Sequence, residues 1–483
     1  MKFLLRPAPE VAIKSKPVRR RHMRLLRQNI RKLLRAVDPA ITVEGTWDRV
    51  TVTGACDSVR EALVLDVLQR TPGLSVIQAV STFPLTTLEA LAERVRAAFV
   101  QALQGRTFAV RVRRHGQHDF RSVDLARLVG STLLAGTDAA GVDLEQPEVT
   151  VRIEVADNQV SIVQRRYRGL GGYPLGSVDS VMTLVSGGYD STVAGYQMLR
   201  RGVRSHFLFF NLGGVAHEAG VRQVVHHLWQ RYGASHSARF ISVPFAGVVA
   251  EIMRSVNHRH WGVVLKRQML RAASEIAALN NTGSLVTGDA IAQVSSQTLA
   301  NLAVIDRASD ALVIRPLVAM DKEAIIELAR EIGTEPFARN MPEYCGVISE
   351  RPVTRANLRK IEQDEANLCA SVLRSAVDQR QECQVSELMQ IVVTPENVEL
   401  VGTPARDDVI IDVRHPAEGE RAPLILNGNR VVQIPFYELG QEMARLPRDQ
   451  QYLLYCDRGT MSQLHAGHLK AGGYTNIKVY APG

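Results

Sequence analysis

The apolar run Val181 to Val185 leads directly into Ser186-Gly187-Gly188-Tyr189-Asp190-Ser191, and an amphipathic helix pattern from Val193 to Arg200, closed by Gly202, follows. This passage limits the fold more tightly than any other. Strand, glycine loop and helix in immediate succession make the opening unit of a parallel α/β sheet. Loop N–H groups and the helix N-terminus converge on one point and favour an anion there. Further strand-like runs, His206 to Leu212, Arg239 to Phe245 and Ser284 to Thr287, alternate with amphipathic helices, and Arg315-Pro316-Leu317 comes after them. That alternation predicts a parallel sheet covered by helices. No Gly-Lys-Ser/Thr completes the loop, so it is not the Walker loop of γ-phosphate transfer.

A chain of 483 residues is too long for one core. The pattern predicts an α/β multidomain protein. Residues 1 to 60 read as a small α+β unit: a strand, a basic helix, then strands at Ile41–Val43 and Val50–Thr53. Pro7 and Pro9 interrupt the first strand and are expected to weaken its pairing. Residues 61 to 165 read as a second α/β unit, with strands at Leu74–Val80, Phe108–Arg113, Val149–Val155 and Gln159–Gln164, and helices at Leu88–Leu103 and Ser122–Leu134. Gly169 to Gly176 breaks all periodicity, as a linker or binding loop does. The nucleotide-type domain spans residues 175 to 390, its end from Val353 to Gln390 polar and mostly helical, and a last α/β unit spans residues 404 to 483.

Hydrophobic residues make up 46%, with no apolar run approaching the roughly 20 residues that cross a bilayer. The N-terminus lacks the features of a secretory leader. Five scattered cysteines, Cys56, Cys345, Cys369, Cys383 and Cys456, fit a reducing compartment, and none pairs at zinc-site spacing, so no metal site is expected. A soluble cytoplasmic protein is expected. The net charge is +9, and residues 1 to 35 hold twelve Lys/Arg against Glu10 alone, so this segment carries +11. Clustered cations release condensed counterions on neutralising phosphates, which points to nucleic acid, with Lys14, Lys16, Arg19 and Arg20 as contacts. A solvated helix face is the other reading, because Met23, Leu26, Ile30, Leu33 and Leu34 recur at helical spacing opposite the arginines.

Other residues would extend the cradle at the carboxyl ends of the same strands, where open sheets bind ligands. Lys266, Gly288 and Gln297 could each touch a nucleotide. Lys322 opens a helix, where an acid is electrostatically preferred, and so suits a neighbouring anion. Near the end of the chain, Leu453-Leu454-Tyr455-Cys456-Asp457-Arg458-Gly459-Thr460 repeats strand, loop and helix around a thiol. Loop amides and the helix N-terminus lower a thiol pKa and stabilise a persulfide. Cys345, in Pro342-Glu343-Tyr344-Cys345-Gly346, gains a role only as a second thiol that attacks such a persulfide and leaves a disulfide.

Ser186 to Ser191 resembles the pyrophosphate loop (PP-loop) of enzymes that split ATP between its α- and β-phosphates. The Cys456 loop, with Ile411-Asp412-Val413-Arg414, resembles a rhodanese domain. Phe108 to Arg121 and Arg166 to Pro174 resemble a THUMP domain, and residues 1 to 60 a ferredoxin-like domain. Together they resemble the tRNA 4-thiouridine synthetase (tRNA sulfurtransferase) family, end to end. The resemblance implies ATP and Mg2+ as cofactors, with ATP contacts at Leu184, Val185, Ser186, Gly187, Gly188, Asp190, Ser191, Lys266, Gly288 and Gln297. It implies Asp190 and Lys322 as the catalytic acid and lysine, and adenylation of uridine 8 at its C4 oxygen. It implies sulfur delivery from Cys456 with a Cys345–Cys456 disulfide, and tRNA contacts that include Arg111, Arg113 and Arg121. The implied partners are tRNA, a cysteine desulfurase, a sulfur carrier protein of thiazole synthesis and a disulfide reductant. Two other readings stay open: a sulfur carrier on an RNA-binding scaffold, and a base-modifying ligase that uses a nitrogen nucleophile.

Overall fold

The computed structural model describes residues 1–46, 49–212, 214–339, 341, 352–389, 398–414, 419, 422–426, 428–434, 439–457, 459–471 and 473–482. Two units divide the chain: Met1–Ser177 with Arg200–Gly202, and Val178–Leu199 with Val203–Gly483.

In the first unit, strand β1 (Lys2–Pro7) buries Phe3, Leu4 and Leu5. A strand apolar on both faces belongs inside a sheet, and β1 lies between β3 (Val50–Thr53) and β4 (Leu74–Pro84), antiparallel to both. Its register with β4 shifts between Arg6 and Pro7. Pro9 then opens the short helix α1 (Pro9–Ala12), and Pro7 is the last residue of the ladder, paired with Leu74 beyond the register shift, so the prolines close the strand. Helix α2 (Lys16–Arg35) buries Met23, Leu26, Ile30 and Leu34, and turns Arg20, Arg21, Arg24 and Arg31 to solvent. Both of the sequence readings of this segment describe the same helix.

Strand β2 (Thr42–Gly45) edges the sheet, α3 (Ser58–Gln69) precedes β4, and α4 (Leu88–Phe99) follows it. Then come β5 (Thr107–His115), α5 (Ser122–Gly136), β6 (Gly141–Val142), β7 (Val149–Ala156) and β8 (Gln159–Arg168). All eight strands form one sheet, in the order β2-β3-β1-β4-β8-β7-β5-β6. Continuity comes from β4, whose first half pairs with β1 and whose residues Val76–Pro84 pair with β8. Val64 and Leu68 of α3 share a core with Phe3, Leu5 and Ile77, so the sheet and core run unbroken past residue 60.

The second unit holds two sheets. The six-stranded one runs in the order β13-β12-β9-β10-β11-β14, from β9 (Val178–Leu184), β10 (Val203–Asn211), β11 (Arg239–Pro244), β12 (Ser284–Val286), β13 (Leu312–Ile314) and β14 (Gln381–Gln384). It is parallel except for β14, antiparallel to β11. Strand β14 falls in the stretch expected to be mostly helical. Its residues, Gln-Glu-Cys-Gln, carry no apolar alternation, and it pairs along one edge only. The sheet order reverses at β9, which has β10 on one side and β12 on the other, and such a switch point opens a crevice at the strand's carboxyl end. The second sheet, β15-β19-β18-β16-β17, is parallel throughout and is made of β15 (Leu400–Val401), β16 (Val409–Asp412), β17 (Arg430–Gln433), β18 (Tyr452–Tyr455) and β19 (Ile477–Tyr480). Among the described residues no helix is long and apolar enough to cross a membrane.

Candidate nucleotide cradle and sulfur loop

Leu184 ends β9, and Val185 N donates to Leu208 O of β10, which holds the strand end flat before the chain turns. Gly187 then adopts φ +84°, and a side chain there would meet Met341 Cε at 2.5 Å. Helix α6 (Tyr189–Arg200) starts four residues earlier than its apolar pattern suggests. Its first turn therefore contains Asp190 and Ser191, where the helix dipole favours an acid. The Ser191 hydroxyl donates to Gly188 O at 3.3 Å and accepts from Ser186 N at 3.1 Å, so it ties the loop to itself. Thr192 Oγ1 reinforces this on Gly188 O at 3.1 Å.

A cavity of about 650 Å³ opens over the loop. Leu184, Val185, Ser186, Gly188, Asp190, Ser191, Lys266, Gly288, Gln297 and Lys322 all border it. Gly187 shapes the turn behind them. Lys322, at the start of the helix Lys322–Glu331, donates to Asp190 Oδ1 at 2.9 Å and Oδ2 at 3.0 Å. Gln293 Nε2 adds a third bond to Asp190 Oδ2 at 2.9 Å. Gly288 is needed for close approach: a Cβ there would lie 2.7 Å from both Asp190 C and Ser191 N.

Four residues at this cavity carried no sign of it in the sequence: Asp289, Gln293, Arg315 and His217. Asp289 accepts from Lys266 Nζ at 2.7 Å and from Thr287 Oγ1 at 2.8 Å. Burial alone would raise its carboxyl, yet Lys266, Thr287 and Arg315 hold it well below the usual carboxylate range. His217, on α7 (Gly214–Tyr232), donates from Nε2 to Ser186 O at 3.0 Å and covers the loop. Burial lowers its pKa. Its position in Val215-Ala216-His217-Glu218 is that of an ordinary helical residue.

The sulfur loop follows β18. Cys456, 5% exposed, receives Ser462 N on its Sγ at 3.3 Å, with Ser462 Oγ 3.5 Å away. Ser462 belongs to the first turn of the helix Thr460–Ala471, so an amide at the helix start faces the sulfur. Gly459 turns at φ +69°, and its N–H returns to Cys456 O at 3.1 Å. Arg414 braces the loop from beneath. It donates to both oxygens of Asp412, at 2.9 and 2.7 Å, and to Asp457 Oδ1 at 2.7 Å, and the Asp412 bonds above all raise its pKa. Cys345 and Arg458 lie outside the described residues. The described free cysteines are Cys56, Cys369, Cys383 and Cys456.

In the first unit Lys14, Lys16 and Arg20 are exposed, whereas Arg19 is half-buried and turns back toward Ala12 O at 3.5 Å. Arg111, Arg113 and Arg121 are exposed as well. Arg111 lies directly opposite Arg152 across β5 and β7. Burial first, then Arg166, Arg113, Arg111 and Arg6, lower the Arg152 pKa, so these guanidiniums share one strongly positive field. Arg152 does not stand out in the sequence, because it is the one arginine of β7, whereas Arg166 lies in the basic run Arg165-Arg166-Tyr167-Arg168 that ends β8.

Three family profiles match the chain. The one described as "Thiamine biosynthesis protein (ThiI)" matches residues 176–369, the THUMP domain 85–163, and the rhodanese-like domain 397–483. A protein of Marinobacter nauticus named "tRNA sulfurtransferase" is 64% identical over 482 residues, covering 100% of both chains. Proteins of the same name from Saccharophagus degradans and Pseudomonas aeruginosa are 45% and 47% identical, again over the full length of both chains. Among solved structures, a 4-thiouridine synthetase in complex with RNA and bound ATP is similar at TM-score 0.70 and 25% identity, covering 80% of this chain and 99% of that one. A protein from Pyrococcus horikoshii shares the fold at TM-score 0.54 and 17% identity, over 69% of this chain and 100% of that one.

Proposed function

The chain belongs to the tRNA sulfurtransferase family, and on that premise we propose that it converts uridine 8 of tRNA to 4-thiouridine at the expense of ATP. The observation that carries this reading is the Lys322–Asp190–Gln293 cluster on the rim of a cavity floored by Ser186 to Ser191. The uracil C4 oxygen attacks the α-phosphorus of ATP, pyrophosphate leaves, and C4 becomes activated as an adenylate. Lys322 offsets negative charge on the phosphate undergoing attack, and Asp190 is placed for the proton that uracil N3 loses. Loop amides after β9 and the start of α6 bind the phosphates.

Magnesium fits this site through the nucleotide. Among the described residues no cluster of three acidic, His or Cys side chains could cage a metal, and Mg2+ is commonly held by one or two carboxylates plus phosphates. Asp190 is the carboxylate that would hold it, and it would neutralise phosphate charge.

Sulfur comes from a persulfide on Cys456, loaded by a cysteine desulfurase. Its terminal sulfur attacks C4 and AMP leaves. Cys345 then attacks Cys456 Sγ, the nucleoside keeps the sulfur as its thiocarbonyl, and a disulfide remains for a cellular reductant to open. The amide of Ser462 on Cys456 Sγ supports a sulfur anion there. Transfer from the same persulfide to a sulfur carrier protein would serve thiazole synthesis, and a cytoplasmic setting fits these thiols. The test is reconstituted thiolation of tRNA read by mass spectrometry of its nucleosides. Asp190→Ala should abolish 4-thiouridine while Cys456 still accepts persulfide, and Cys456→Ser should abolish both. Base modification that survives Cys456→Ser would overturn the sulfur relay in favour of another nucleophile.

A further inference from the structure

Asp289 follows Gly288 at the carboxyl end of β12, beyond the residues given a role above, and four donors from four places in the chain converge on it. Lys266 Nζ and Gln297 Nε2 reach Oδ1 at 2.7 and 3.2 Å, while Thr287 Oγ1 and Arg315 Nε reach Oδ2 at 2.8 and 3.3 Å. Arg315 is itself anchored on Asp306 at 3.0 Å, so the carboxylate is held from behind. An ionised carboxylate only accepts. The Gln297 amide must therefore turn its NH2 toward Asp289 and its carbonyl oxygen away. That oxygen, Oε1, is buried with no partner among the described residues, in a side chain 7% exposed on the cavity wall. A buried acceptor left unpaired bears its full desolvation penalty, and a ligand donor would remove it.

We propose that Asp289 is a positioning residue for nucleotide recognition: it fixes the Lys266 ammonium on the cavity wall and locks Gln297 so that Oε1 accepts a hydrogen bond from the nucleotide. This rests on the reading that the cavity takes ATP. Two groups of ATP can donate to such an acceptor, the adenine 6-amino group and a ribose hydroxyl. Inosine triphosphate replaces the first by a carbonyl, which would face Oε1 acceptor to acceptor. Each deoxynucleotide deletes one hydroxyl. Substituting Asp289 by Ala removes the lock. Lys266 and Gln297 lose the oxygen they share, and nothing then fixes which end of the Gln297 amide faces the cavity.

The experiment is equilibrium binding, by calorimetry on the full chain without tRNA, of ATP, inosine triphosphate, 2′-deoxy-ATP and 3′-deoxy-ATP to wild type, Asp289→Ala and Gln297→Met. Wild type should discriminate against one analogue by about tenfold or more, the scale of one matched hydrogen bond. Both variants should reduce that ratio to within about twofold of unity, since each removes the fixed acceptor. Loss of preference against inosine triphosphate assigns the partner as the amino group, and loss against a deoxynucleotide assigns the missing hydroxyl. Gln297→Met keeps the test alive should Asp289→Ala fail to fold. The inference falls if wild type binds all four equally, or if either variant keeps the wild-type ratio, as a merely structural ion pair would. A wild-type chain that binds no ATP at all would refute the nucleotide reading and this inference with it.

Discussion

Gly288→Ala tests how the cradle is held. A Cβ at 288 would stand 2.7 Å from Asp190 C, 2.7 Å from Ser191 N and 2.9 Å from Asp190 O. Carbon contacts are comfortable at roughly 3.5 to 4.0 Å, so the two backbones must part by about 1 Å. None of the three atoms is the end of a flexible side chain. The relief has to come from the first turn of α6, which carries Asp190 away from Lys322, now 2.9 Å distant, and from Gln293, also at 2.9 Å. Overpacking of this kind costs on the order of 1–3 kcal/mol of stability, and a displacement of about 1 Å in a catalytic group costs on the order of 100-fold in rate. Single-turnover thiolation together with thermal unfolding separates the two effects. Gly247→Ala is the control: it lies in the helix Ala246–Ser255 with nothing within 4 Å of its built Cβ, and it should be neutral or stabilising by up to about 1 kcal/mol. Should Gly288→Ala turn over and melt like wild type, close packing of β12 against the loop is not what positions Asp190.

Replacing Arg20 and Arg21 by Ala should weaken tRNA binding and lower its salt slope by up to about 0.9 for each phosphate that is no longer neutralised, measured by filter binding across a salt series. Arg19→Ala, a side chain already turned back onto its own unit, should leave the slope nearly unchanged. Arg414→Ala would strand the buried carboxylate of Asp412 and cost about 3–5 kcal/mol; limited proteolysis should find the rhodanese-like domain cleaved first, and Arg414→Lys, which lacks the fork, should rescue it poorly. For His217, burial puts the folded pKa below the unfolded value of about 6.5, so the unfolded chain binds the proton first as pH falls. Stability present at pH 7 should be lost as pH drops below about 6.5, and His217→Gln should show a shallower loss in paired chemical-denaturation curves.

Neighbours along the chain decide what a sequence can declare. Ser186 to Ser191 is legible because a tight turn after a strand demands glycine at Gly187, and the loop's bonds run between residues three to five apart. The proline signal at Pro7 and Pro9 is likewise local, and the strand ends there. Strand β14 is invisible because an edge strand of polar residues has no alternation to betray it. The arginine face of the first unit is a property of register: Arg111 and Arg152 meet only because β5 and β7 pair in parallel with that offset. Like charges directly opposite destabilise a sheet, so this pairing is kept against its cost, as a surface for a polyanion would require.

The same distinction governs the cavity. Lys266 read alone resembles a surface lysine, and its meaning is set by Asp289, 23 residues later. Gln293 reaches Asp190 across 103 residues and His217 reaches Ser186 across 31. A carboxylate directly after a strand and a glutamine in a polar loop are ordinary residues in ordinary places. Asp289 acquires consequence through four donors that only the folded sheet brings together, and through the direction its charge imposes on Gln297. The loop supplies the means to bind a phosphate, and the groups able to tell one nucleotide from another are assembled around it by the order of the strands.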